Sequence, residues 1–320
     1  MIPTMLTRRA FGAAIVAAAG TNRLSSVLGL GPSGFEAVRY RDVRGYRMAY
    51  REVGQGRDTF LFLHGNPTSS YLWRKVAPPL ADLGRCVAPD LLGMGHSAKA
   101  KAGDAAAYGV VRQRDQLDAF LEDLQLGNRV TLVVHDWGSI FGFDWARRHV
   151  DRVRGIVHME AFVEPVTTAG TPAPVVNWFR GYRTEAGAAS VLEANQFVEQ
   201  VLFRSVTGLT AADSAAYREP FPTAGDSRLP TLIFPRQVPI DGEPADVHEL
   251  MSAAWDWMAH SPLPKLFIDA EPGAMVVARR KTIARGWPNT VTHQVKARHF
   301  VPEDAPADVA SAIREWSRAL

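Results

Sequence analysis

The stretch Val133-Val-His-Asp-Trp-Gly-Ser139 decides the reading of this sequence. Its first residues form an apolar run, the residues from Ser139 on carry helical spacing, and one acid, Asp136, stands where the first passes into the second. A strand running straight into a helix exposes the residue at the turn above the sheet and aims backbone N–H groups at it; in the usual Gly-x-Ser-x-Gly form that residue is serine. Here Asp136 occupies the serine position, Gly138 keeps the small residue two places on, and Val134 replaces the first glycine. A carboxylate needs no base to activate it, so it suits displacement at a saturated carbon bearing a leaving group. The alkyl ester then formed on Asp136 must be hydrolysed, and that step needs a base for water, a task suited to a histidine.

Outward from this turn, short apolar runs alternate with longer amphipathic ones. Thr59–Leu63, Val130–Val134, Val153–Val157, Lys265–Ile268 and Val291–Val295 read as strands, while Tyr108–Leu124 and Ser139–His149 carry helical spacing. Strand alternating with helix predicts an α/β fold, a mostly parallel central sheet flanked by helices, with ligands bound beyond the C-terminal strand ends. Between residues 163 and 230 the strand pattern gives way to helical, aromatic-rich sequence, which predicts an inserted helical cap. The core is then built from residues 31–162 and 231–320.

Of 320 residues, 47% are hydrophobic and 22% charged, enough apolar material for one large domain. The net charge of +3 resides in the first thirty residues, where Arg8, Arg9 and Arg23 meet no acid; the remainder carries 33 basic against 33 acidic side chains. That balance, and the lack of a basic run with interleaved aromatics, argues against nucleic acid as a partner. The single cysteine, Cys86, excludes an internal disulfide and a multi-thiolate metal site, and reads as a small core residue. Thr7-Arg8-Arg9-Ala10-Phe11 precedes an apolar run too short to span a bilayer and resembles a twin-arginine export signal, with Ala17-Ala18-Ala19 available for cleavage. Residues 1–30 are therefore expected to be an export signal, giving a periplasmic or exported protein, the alternative being an uncleaved leader on a cytoplasmic one.

Chain order supplies the partners of Asp136, because the triad of this elbow runs nucleophile, acid, histidine. His299, in Ala297-Arg-His-Phe-Val301 near the C-terminus, fits the base. For the acid, Glu160 ends the run Ile156-Val-His-Met-Glu160, whereas Asp269 and Glu271 follow a later strand; Glu160 is favoured and the others stay open. A departing anion needs N–H donors in a water-poor cavity. Trp137 offers an indole N–H beside the nucleophile, and Asn66, in Leu63-His-Gly-Asn-Pro67, offers a side-chain amide.

These segments taken together resemble the haloalkane dehalogenases of the α/β-hydrolase fold. The likeness is carried by Leu63-His-Gly-Asn-Pro-Thr-Ser-Ser-Tyr-Leu-Trp-Arg74, Pro89-Asp-Leu-Leu-Gly-Met-Gly-His-Ser97, Val134-His-Asp-Trp-Gly-Ser139 and His158-Met-Glu160. It continues through Phe197-Val-Glu-Gln-Val-Leu202, Tyr217-Arg-Glu-Pro-Phe221, Pro235-Arg-Gln-Val-Pro239 and Glu271-Pro-Gly273, nearest the subgroup with a glutamate after the sixth strand and an Asn-Trp halide pair, which includes the lindane-degrading dehalogenases. The resemblance implies a catalytic triad of Asp136, Glu160 and His299 and a halide pair of Asn66 and Trp137. It further implies an apolar pocket lined by Phe179, Phe197, Val201, Phe234, Pro235, Met275 and Phe300, an uncharged halogenated substrate, and no metal or organic cofactor. The chain departs from the family at Thr167-Thr-Ala-Gly-Thr-Pro-Ala-Pro174, where relatives carry a tryptophan and acids, and at Arg298 and Val301-Pro302 around the histidine. Three competing readings share these motifs: an epoxide hydrolase using cap tyrosines such as Tyr182 and Tyr217, a luciferase-like cofactor-free oxygenase, and a non-catalytic binder of a small ligand. Asn66 argues against the first, since epoxide hydrolases usually carry an aromatic residue there.

Overall fold

The computed structural model describes residues 34–320; the export-signal reading of Thr7–Ala19 lies outside them. Eight strands form one sheet in the order β1-β2-β4-β3-β5-β6-β7-β8. The strands are β1 (Val38–Val43), β2 (Tyr46–Val53), β3 (Thr59–Leu63), β4 (Arg85–Pro89), β5 (Val130–Asp136), β6 (Val153–Ala161), β7 (Lys265–Pro272) and β8 (Thr290–Ala297). From β4 across to β8 every neighbouring pair is parallel, and only β2 runs antiparallel to both its neighbours.

The central strands are buried along their length because both faces are covered. In β3 the alternation of strand side chains sends Phe60 and Phe62 into one apolar cluster and Leu61 and Leu63 into another, on the opposite side. Helices α1 (Val110–Asp123), α2 (Trp137–Arg148) and, further on, α8 (Ala245–His260) pack on the side of Leu61 and Leu63; α11 (Pro306–Arg318) packs Val309, Ile313 and Trp316 on the side of Phe60 and Phe62. The five strands read from the sequence all form. Three others, β1, β2 and β4, are additional to that reading. The hairpin β1-β2 exposes Arg39, Arg41 and Asp42, so its apolar signal is confined to one face, as expected at a sheet edge.

Between β6 and α8 lie the helices α3 (Ala173–Gly181), α4 (Glu185–Leu192), a π-helical turn Phe197–Leu202, the short α5 (Phe203–Ser205), α6 (Ala211–Arg218) and α7 (Leu229–Arg236). The last of these, α7, holds Pro230 in its first turn, where a missing N–H costs nothing, and runs to Arg236. After β7, α9 (Arg279–Gly286) returns to β8, and α10 (Val301–Asp304) follows the loop bearing His299. Among the described residues no helix is long and apolar enough to cross a membrane.

Candidate active site

Asp136 ends β5 and stands at the N-terminus of α2 with φ 51° and ψ −129°, a left-handed backbone rare for a residue with a side chain. Two glycines allow the turn to close. A Cβ on Gly138 would collide with the carbonyl of Leu63, and one on Gly65 would overlap the Asp136 carboxylate. The turn is pinned by Ser139, whose Oγ donates to the Asp136 carbonyl at 2.6 Å and accepts from the Phe162 N–H at 3.1 Å.

The carboxylate is buried. Its Oδ1 accepts from the backbone N–H of Asn66 at 2.8 Å, and the N–H of Trp137 also points at it. Burial pushes the Asp136 pKa up, opposed by the charge of His299 and by these two N–H groups, with a net rise. Loss of hydration is what a nucleophile needs, since a carboxylate wrapped in water attacks carbon poorly.

His299 follows β8 and turns its ring toward Asp136, Nε2 lying 3.6 Å from Oδ2. Its other nitrogen, Nδ1, is 3.2 Å from Oε2 of Glu160. Glu160 stands one residue before the end of β6, the strand beside β5, and also adopts a positive φ, 43°, which swings its side chain off the strand path. Its carboxylate accepts the backbone N–H groups of Ala274 (3.1 Å), Met275 (2.6 Å) and Val276 (3.2 Å). Burial alone lowers the His299 pKa, but the bond to Glu160 and the charges of Asp136 and Glu160 outweigh it and raise it above the ordinary imidazole value. The other two acids open in the sequence lie elsewhere: Asp269 pairs with Lys281 at 2.9 Å and with Arg285, and Glu271 with Lys281 at 2.7 Å. Arg298 and Val301-Pro302 leave the loop well held, the Arg298 N–H donating to Asp304 at 2.9 Å and Pro302 sitting in the first turn of α10.

A second histidine, outside the expected triad, holds the backbone of His299. His135, beside Asp136 in sequence, donates from Nε2 to the carbonyl of His299 at 2.8 Å. A carbonyl only accepts, so that nitrogen carries the proton. Burial, aided by the charge of His299, keeps the His135 pKa well below the ordinary value, and the ring stays neutral.

Above these groups is a cavity of about 640 Å³, within the roughly 300–1,000 Å³ of small-molecule sites. Asp136, His299, Asn66 and Trp137 form its floor, and Phe179, Phe197, Val201, Pro235 and Met275 are in its wall. Phe234 and Phe300 are not. Phe234 is fully buried behind Trp137, ring centroids 5.3 Å apart, and Phe300 packs against His299 at 4.8 Å; both support the wall from outside. The sequence reading missed Phe162, Val175, Trp178, Glu164, Arg279 and Arg280, which line the cavity as well. Gly170, Pro172 and Pro174, from the atypical cap segment, also line it. Tyr182 and Tyr217 do not reach the cavity: Tyr182 packs on Trp178 and Phe197, and the Tyr217 hydroxyl donates to Glu303.

Fold and geometry together define an α/β-hydrolase whose elbow carries a carboxylate where a hydroxyl is usual. Residues 58–225 match the family described as the alpha/beta hydrolase fold. A haloalkane dehalogenase of Sphingobium indicum is 48% identical over 294 residues, covering 92% of this chain and 99% of that one. Another, of Mycolicibacterium smegmatis, is 44% identical, with 91% and 94% covered. Among solved structures, a haloalkane dehalogenase of Bradyrhizobium elkani superposes with a TM-score of 0.82 at 38% identity, covering 88% of this chain and 98% of that one. The chain belongs to the haloalkane dehalogenase family and is a hydrolase acting on carbon–halide bonds.

Proposed function

We propose that the chain converts an apolar haloalkane and water to an alcohol, a halide and a proton through an alkyl ester on Asp136. The single observation that carries this reading is the buried Asp136 carboxylate at the floor of an apolar cavity, with His299 Nε2 3.6 Å behind it. In the first step a carboxylate oxygen attacks the halogen-bearing carbon from the side opposite the halogen. The carbon–halogen bond breaks, and the halide leaves with its electron pair toward the N–H groups of Trp137 and Asn66. Low polarity in the cavity makes those donors worth more than they are in water.

Alkylation removes the negative charge of Asp136, one of the causes that raise the His299 pKa. The imidazole therefore becomes easier to deprotonate once the ester exists, so the first step itself prepares the base for the second. His299 Nε2 takes a proton from water, and the oxygen adds to the ester carbonyl carbon. The resulting oxyanion is held by the backbone N–H groups of Asn66 and Trp137, which already contact Asp136. The acyl–oxygen bond breaks, the alcohol departs with one proton, and the other passes from His299 to solvent.

The experiment is mass spectrometry of a His299→Phe variant incubated with a short bromoalkane. The peptide containing Asp136 should gain the alkyl mass, and an unmodified peptide refutes the two-step mechanism. The leader carries a second proposal, that Arg8-Arg9 direct export by a twin-arginine route. Fractionation of wild type against an Arg8→Lys, Arg9→Lys variant tests it, with retention in the cytoplasm expected only for the variant.

A further inference from the structure

Helix α7 has a proline in its interior, Pro235. Proline has no backbone N–H, so it cannot return the helical bond to the carbonyl four residues earlier, and its ring crowds that carbonyl. The carbonyl belongs to Thr231, a buried residue. It accepts instead from the side-chain nitrogen Nδ2 of Asn66, at 3.1 Å. Because a carbonyl only accepts, this bond decides which end of the amide faces α7; the reverse orientation would set two oxygens against each other. The Asn66 Oδ1 is buried without a partner among the described residues, so nothing on the oxygen side fixes the orientation. Nδ2 bears two hydrogens. One goes to Thr231, and the second has no protein acceptor among the described residues. Asn66 and Pro235 both line the cavity.

We infer that Pro235 is a positioning residue for halide capture: by leaving the Thr231 carbonyl without its helical donor, it creates the anchor that orients the Asn66 amide and keeps its second N–H for the halide. The inference rests on the reading of Asn66 as a halide donor given above. Any residue with an N–H at position 235 competes with Asn66 for that carbonyl.

The test is titration of the full chain with sodium bromide, followed by quenching of indole fluorescence. Pro235→Ala is expected to bind bromide about 3–10-fold more weakly, the range of one ordinary hydrogen bond. A second variant separates the missing donor from the missing ring: L-lactic acid placed at position 235 by nonsense suppression gives a backbone ester with no N–H and no ring. It should bind bromide within about twofold of wild type, since the Thr231 carbonyl stays open. Equal weakening in the alanine and lactic acid variants overturns the inference in favour of ring packing, and so does a Pro235→Ala variant with unaltered affinity. Asn66→Ala distinguishes the two levels of argument. Should it bind bromide normally, the halide-donor reading fails and this inference with it; should it lose affinity while Pro235→Ala does not, the inference alone fails.

Discussion

Glu160 faces His299 at 3.2 Å with its carboxylate already committed to three backbone N–H groups, from Ala274, Met275 and Val276. The acid is thus fixed in place by main chain, and the histidine is fixed by the acid. Glu160→Gln replaces an oxygen acceptor with an amide that cannot satisfy all four donors. Ester hydrolysis should slow by up to about 10⁴-fold, the loss seen when a triad aspartate is replaced by its amide. Rapid-quench measurement should show a burst of halide followed by slow turnover; an unaltered steady-state rate would remove Glu160 from the triad.

Burial lowers the His299 pKa, while the bond to Glu160 and the charge of Asp136 raise it, and the sum lies above the ordinary value. Asp136→Asn mimics the charge of the ester and removes one of the raising causes. NMR titration should place the His299 pKa lower in Asp136→Asn than in wild type. An unmoved or higher value would contradict the idea that alkylation releases the base. In the wild-type ester the same sign makes hydrolysis lose rate as pH falls through the lowered pKa.

Trp137 lines the cavity beside the nucleophile, and among the described residues its indole N–H meets no protein acceptor. Trp137→Phe keeps the ring packing against Phe162 and Phe234 and deletes the donor. Single-turnover halide release should slow by roughly 10²-fold, since removing one preorganised donor costs about 10²–10³-fold in rate. Normal release would assign the tryptophan to packing alone.

Gly65 has no room for a side chain, since a Cβ there would overlap the Asp136 carboxylate. Gly65→Ala should therefore displace the nucleophile, and displacement of a reacting group by about 1 Å reduces rate by roughly 10²-fold. Circular dichroism should show a folded protein with activity reduced by at least that factor. Full activity would mean the turn relaxes without moving Asp136.

Glu303, with a fully buried side chain in α10, accepts from Arg74 at 2.5 and 3.0 Å, from Lys75 at 3.3 Å and from the Tyr217 hydroxyl of the cap. Arg74 also pairs with Asp213 of the cap at 2.6 Å. Removing one member of a buried charge cluster leaves the others uncompensated, so Glu303→Ala should lower stability by about 3 kcal/mol. Chemical denaturation measures it, and a loss below about 1 kcal/mol would make the cluster a surface-like pair.

Much of this was legible before any coordinates. Five strands of the parallel sheet and the elbow at Asp136 follow from local signals, because an apolar run buried on both faces and a turn between strand and helix are written in neighbouring residues. The edge hairpin β1-β2 was less legible because one of its faces is charged and solvated. Resemblance supplied much of the pocket but misplaced Phe234 and Phe300, since an aromatic residue one position away in sequence can face the opposite side of a wall.

The sequence by itself determined the chemistry available: a carboxylate at the elbow, a histidine after the last strand, donors on two loops, and an apolar insertion to cover them. Only the tertiary structure decided which acid serves His299, because Glu160, Asp269 and Glu271 differ in what surrounds them and not in what they are. It also decided that His135 holds the backbone of His299 and that α7 offers Asn66 a carbonyl. The physical reason is that hydrogen bonds form between groups brought together by strand order and helix packing, and that proximity is a property of the folded chain rather than of any segment of it.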